Sequence, residues 1–226
     1  MKDFIPQETK TIASHSKAEN HPVLMQVIEQ LKAANPSFVI DASNQHVIEA
    51  IAAYFSRDGF LCQKQGISPQ KGLFLSGPVG CGKTSMMQFF SSLFSRPRFR
   101  LIATRDIALS FAQEGFNVLE KYGRKSFIKK PCSYGYQLLH DQPITYCFDD
   151  IGVEQQSKYF GNEVNVMAEI LLDRYEQYQR YGMITHITSN LNAEEVEKLY
   201  GERLRSRLRE MFNLISFPVE APDRRK

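Results

Sequence analysis

The sequence predicts an α/β fold in which a parallel five-stranded sheet lies between helices, and three observations predict it. Short apolar strands alternate with amphipathic helices from Gly72 to Phe217. A glycine-rich loop, Gly77-Pro78-Val79-Gly80-Cys81-Gly82-Lys83-Thr84, joins the first of these strands to the helix after it. A later strand, Ile144-Thr145-Tyr146-Cys147-Phe148, runs into Asp149-Asp150 at the carboxyl edge, where sheets of this kind bind ligands.

With 226 residues, 42% of them hydrophobic and 23% charged, the chain is long enough for one sizeable core. No apolar run approaches the ~20 residues that a membrane span needs, which argues against a membrane role. Residues 1–20 are polar and carry acids, unlike a secretion signal or a transit peptide. The four cysteines, Cys62, Cys81, Cys132 and Cys147, form no CxxC pair, so they read as reduced thiols and the chain as cytoplasmic. A net charge of +3 does not by itself indicate a nucleic-acid partner.

Residues 1–42 read as a flexible and helical N-terminal extension, and 43–226 as the main domain. Within the extension, Leu24, Val27, Ile28 and Leu31 share one face of a helix over 22–34. That face either packs on its own domain or docks a partner. Asn35-Pro36 breaks the chain, and a second amphipathic helix over 43–57 presents Val47, Ile48, Ile51 and Phe55 before Asp58-Gly59 stops it. Strand 72–76, helix 84–94, strand 99–103, helix 105–113 and strand 144–148 follow. The pattern continues with helix 162–180, strand 183–188, helix 193–200 and strand 212–217.

The glycines of the loop let backbone N–H groups turn inward around a phosphate, and the next helix points its positive end at the same place. Gly77 to Thr84, with Ser85 on the first helical turn, therefore form a P-loop for ATP. Lys83 reaches the outer phosphates and Thr84 ligates Mg2+. Asp149 suits magnesium held through water, and Asp150 suits a base that orients the attacking water; the alternative is a solvated Asp-Asp turn before Gly152. Asn190, ending the strand Ile184-Thr185-His186-Ile187-Thr188-Ser189, either touches the γ-phosphate or caps the next helix. Four arginines from Arg203 to Arg209 are either a solvated helix face or the source of a guanidinium for a neighbour's site. From Tyr122 to Lys130, and on to Tyr134 and Tyr136, basic and aromatic residues interleave, either as a contact for single-stranded DNA or as a solvated loop.

The P-loop, Phe148-Asp149-Asp150-Ile151-Gly152, Thr188-Ser189-Asn190-Leu191-Asn192 and Tyr200-Gly201-Glu202-Arg203 through Ser206-Arg207-Leu208 occur in an order and combination that is specific. In these the chain resembles the AAA+ ATPases of the DnaC/DnaI helicase-loader and IstB transposition-helper group, over about Ser43 to Val219. The resemblance implies an AAA+ core without a C-terminal lid, Mg-dependent ATP hydrolysis, and a homo-oligomer whose subunits complete each other's sites. It makes Asn190 the sensor 1 residue, Arg207 the arginine finger and Arg203 a nearby basic contact. Its second acid is Asp150 where AAA+ proteins usually have Glu, as in several loader and IstB-like members. The implied task is loading a replicative helicase onto DNA, the alternatives being service to a transposase and a nucleotide-dependent scaffold with negligible turnover.

Overall fold

The computed structural model describes residues 21–95, 98–128, 142–154, 157–159 and 162–225. Two helices, α1 (Pro22–Ala34) and α2 (Gln45–Ser56), precede a short α3 (Gly59–Gln65). Then come β1 (Gly72–Ser76), α4 (Lys83–Leu93), β2 (Arg100–Ala103), α5 (Thr104–Glu114) and α6 (Phe116–Tyr122). Two small antiparallel ribbons, β3 (Phe127–Ile128) with β4 (Gln142–Pro143) and β6 (Ser157–Tyr159) with β7 (Asn162–Val164), flank β5 (Tyr146–Ile151). The chain continues through α7 (Val166–Tyr181), β8 (Thr185–Ser189), α8 (Ala193–Tyr200), α9 (Glu202–Met211) and β9 (Phe212–Ser216).

The main sheet has the order β2-β5-β8-β1-β9 with every pairing parallel. Alternation along the strands divides the core in two. Leu73, Leu75, Cys147 and Ile215 face α1 to α4, whereas Phe74, Phe148, Ile187 and Phe212 face α5 to α9. Each fully buried side chain of this size contributes about 1.5–3 kcal/mol, so both faces have to be covered. α1 belongs to the first layer: Leu24, Val27 and Leu31 are buried in it, and Ile28 is half-buried.

Two expectations are corrected. Helix 162–180 begins only at Val166, where Asn165 accepts a hydrogen bond from the Ala168 N–H, and Asn162–Val164 is a strand. The strand expected over 144–148 starts at Tyr146 and continues through both acids to Ile151. Across from β8 the register shifts between Phe148 and Ile151, so Asp149 and Asp150 form a bulge with Asp150 at φ 57°.

The sheet's lower end is closed by Arg174 of α7, a fully buried cation. Its guanidinium donates to Thr185 Oγ1 (2.6 Å) and to the carbonyls of Tyr122 (2.9 Å), Ile144 (3.0 Å) and Ile184 (2.9 Å). It also lies over the rings of Tyr146 and Phe148. Burial lowers its pKa to about 9.

Candidate functional site

β1 delivers the glycine-rich loop to the carboxyl edge of the sheet, and the loop feeds directly into α4. The first turn of α4 has at its cap position Gly82, which has no side chain to satisfy the helix's first N–H groups. Those donors stand beside a cavity of about 320 Å³ lined by Gly80, Gly82, Lys83, Thr84 and Ser85, with Leu31, Phe38, Met86 and Phe89 at an apolar part of the wall.

Lys83 is only 5% exposed and its ammonium donates to Gly77 O (2.9 Å), Pro78 O (3.0 Å) and Asn190 Oδ1 (2.5 Å). Burial lowers its pKa, opposed by Cys81, Asp150 and Asp149. Thr84 Oγ1 donates to Asp149 Oδ1 (2.8 Å), which also accepts from Thr188 Oγ1 (2.7 Å). The same Thr188 hydroxyl accepts from the Asp150 N–H (2.8 Å), while the Asp150 carbonyl accepts from Thr104 Oγ1 (2.8 Å). Two threonines thus fix the backbone of the bulge. Asp149 meets Thr84, and Asp150, one residue on, lines the cavity with Lys83 and Asn190. In an unbroken strand adjacent side chains would point to opposite faces. Burial, then the charge of Asp149, raises the Asp150 pKa, while Lys83 and Arg225 oppose the rise.

Of the two readings of Asn190, the cap is corrected: Asn192 caps α8 instead, its Oδ1 accepting from Glu194 N and Glu195 N (2.9 Å each) in a capping box with Glu195. The loop carrying Asn190 sits tightly on the loop after Asp150. Gly152 has φ 96°, and a Cβ there would lie 2.4 Å from Leu191 Cδ1. Glu154, two residues on, accepts from Gly152 N (2.7 Å) and from the Tyr200 hydroxyl.

Arg207 lies on α9, where its guanidinium sits 4.8 Å over the Tyr175 ring, and it does not line the cavity. Arg203 is exposed on the same helix. In the basic-aromatic stretch, Tyr122 is core, and Arg124 and Lys125 both pair with Glu120; Lys129, Lys130, Tyr134 and Tyr136 lie outside the described residues. Cys62, Cys81 and Cys147 are free and buried, and Cys132 lies outside the described residues. None of the described helices is long and apolar enough to cross a membrane.

Sequence reasoning missed Arg224 and Arg225, which also line the cavity. Their only signal is a basic pair after β9, indistinguishable in sequence from a solvated tail.

No protein-family model and no curated protein matches the sequence. Solved structures do. The DnaC helicase loader superposes with TM-score 0.54 at 16% identity, over 81% of this chain and 95% of its own. DnaI gives 0.51 at 16%, over 83% and 87%. A replication initiator DnaA bound to AMPPCP and single-stranded DNA gives 0.50 at 17%, over 82% of this chain and 49% of the initiator. The chain thus shares the fold of DnaC and DnaI, a five-stranded parallel sheet with the glycine-rich loop after β1 at its carboxyl edge.

Proposed function

We propose that the chain binds and hydrolyses ATP with Mg2+ and acts in DNA replication as a helicase loader. One observation carries the ATPase reading: Lys83, Thr84, Asp149, Asp150 and Asn190, from two strand ends and one helix, converge at the start of α4. That constellation suits a polyphosphate. Lys83 neutralises the outer phosphates, and Asn190, already at its ammonium, meets the γ-phosphate. Phe38, Met86 and Phe89 offer the base an apolar wall.

Thr84 and Asp149 fit Mg2+, because both are hard oxygen donors already in contact, and such sites take one or two protein oxygens and leave the rest to phosphates and water. When bound, the ion would draw charge off the phosphate oxygens. Asp150, its proton affinity raised, orients water and accepts its proton. Arg207 on the face of α9 would serve a neighbouring subunit. The loader role is favoured by the likeness to DnaC and DnaI over most of both chains.

The test measures ATP binding, phosphate release, and transfer of a purified replicative helicase onto single-stranded DNA. Lys83→Ala should lose tight ATP binding, and Asp150→Asn should bind ATP with turnover lowered roughly a hundredfold. Equal binding by a folded Lys83→Ala chain would end the ATPase reading. Turnover without any effect on helicase transfer would end the loader reading alone.

A further inference from the structure

Arg224 and Arg225 are adjacent and are used in opposite ways. Arg224 is anchored through its backbone and both terminal guanidinium nitrogens, while its Nε has no partner among the described residues. Its N–H donates to Gly80 O (3.0 Å), and its guanidinium donates to both Asp41 oxygens (2.9 and 2.7 Å), Ser43 Oγ (2.9 Å) and Val39 O (3.1 Å). Hydrogen bonds from Ser43 and then Arg224 hold the Asp41 carboxyl down at about 2. The residue before this pair, Asp223, lies against the P-loop itself. A Cβ on Gly80 would come within 2.1 Å of Asp223 Oδ1, and Gly80 has φ 82°. The segment after β9 is therefore pinned across the P-loop, on Gly80 at one side and on the Val39–Ser43 stretch at the other.

Arg225 lines the cavity with Lys83 and Asp150. Among the described residues its guanidinium makes no ion pair and no hydrogen bond; only its backbone N–H is engaged, with Asp223 Oδ1 (3.0 Å). Arg225 thus stands on the same cavity as the Lys83 ammonium. Two cations held beside the start of a helix repel one another, and a polyanion between them reverses the sign of that interaction.

We propose that Arg225 contacts the terminal phosphates of the nucleoside triphosphate bound by its own chain, and that Arg224 is the positioning residue that holds it over the P-loop. The inference rests on the nucleotide reading above. A guanidinium matches phosphate oxygens in a bidentate fork, which an ammonium cannot do. A contact confined to the terminal phosphate separates ATP from ADP, which a merely structural role for the segment would not.

The experiment is calorimetric titration of the full chain with Mg-ATP and with Mg-ADP, together with nucleotide-free melting. Arg225→Ala should weaken ATP about tenfold, as for one lost charge-assisted pair, and ADP far less, with the melting point unmoved. Arg225→Lys should recover part of the loss. Arg224→Ala should show the same ATP-selective loss, and adding Arg225→Ala to it should change little more. Unaltered ATP affinity in Arg225→Ala overturns the proposal, as does an equal loss for ATP and ADP. A wild-type chain that binds neither nucleotide removes the nucleotide reading and this inference together; binding by the wild type with no ATP-selective loss removes this inference alone.

Discussion

His186 stands at the middle of β8 with no exposed surface, its ring among those of Tyr54, Phe55 and Phe99. Nδ1 accepts the Leu73 N–H (3.0 Å), which leaves the ring proton on Nε2, and Nε2 has no partner among the described residues. Burial, and next the charge of Arg174, lower its pKa from 6.5 to about 3. Between those two values the unfolded chain binds a proton that the folded chain refuses, so stability falls as pH drops from 6.5 towards 3. The slope is about 1.4 kcal/mol per pH unit at most. Denaturant midpoints from pH 7 to 4.5 should show it, and His186→Phe should flatten it even though the Leu73 N–H loses its partner. An unchanged slope in that variant would place the acid sensitivity elsewhere. At this scale the P-loop residues were legible because their types and spacing follow from phosphate chemistry. Arg174, Arg224 and His186 were not: an arginine on a helix or after a strand reads as solvated, and only the fold shows which carbonyls or carboxylates surround it.

Among the elements, α1 illustrates what periodicity can and cannot tell. Its apolar face was readable, but whether that face docks a partner or packs at home depends on which surface it meets. The structure puts Leu24, Val27 and Leu31 into the layer shared with α2 to α4. Leu24→Ala should therefore destabilise the chain by about 2–4 kcal/mol, and Ile28→Ala, at a half-buried position, by clearly less. Denaturant titration of the two variants checks this, and equal, negligible losses would return the face to a docking role. The five strands of the main sheet and helices α4, α5, α7 and α8 followed from apolar alternation, whereas α6 and α9 did not. The β5 bulge did not, since its cause is two hydroxyls from Thr104 and Thr188 that are distant in sequence. β6 and β7 escaped for a related reason: strands of three residues are too short to display a period.

For the molecule as a whole, Arg207 tests assembly. It sits on α9 outside the cavity of its own chain, so a role in hydrolysis requires a second subunit. Arg207→Ala should keep ATP binding and lose most turnover, on the scale of ~10³-fold for an arginine supplied in trans. Mixed with Asp150→Ala it should recover part of the activity, because a subunit with an intact acid receives the guanidinium of a subunit lacking only that acid. Phosphate release from the mixture, under conditions where the wild type is active, measures this, and a mixture as inactive as its parents would confine Arg207 to its own chain. Leu191 occupies the place of the missing Gly152 side chain. The loop after the acids and the loop after Asn190 therefore mesh like a tooth in its gap, the Leu191 side chain filling the space that a Cβ on Gly152 would need. The smallest addition at position 152, a single methyl group, would force those teeth apart while leaving every polar side chain of the site in place.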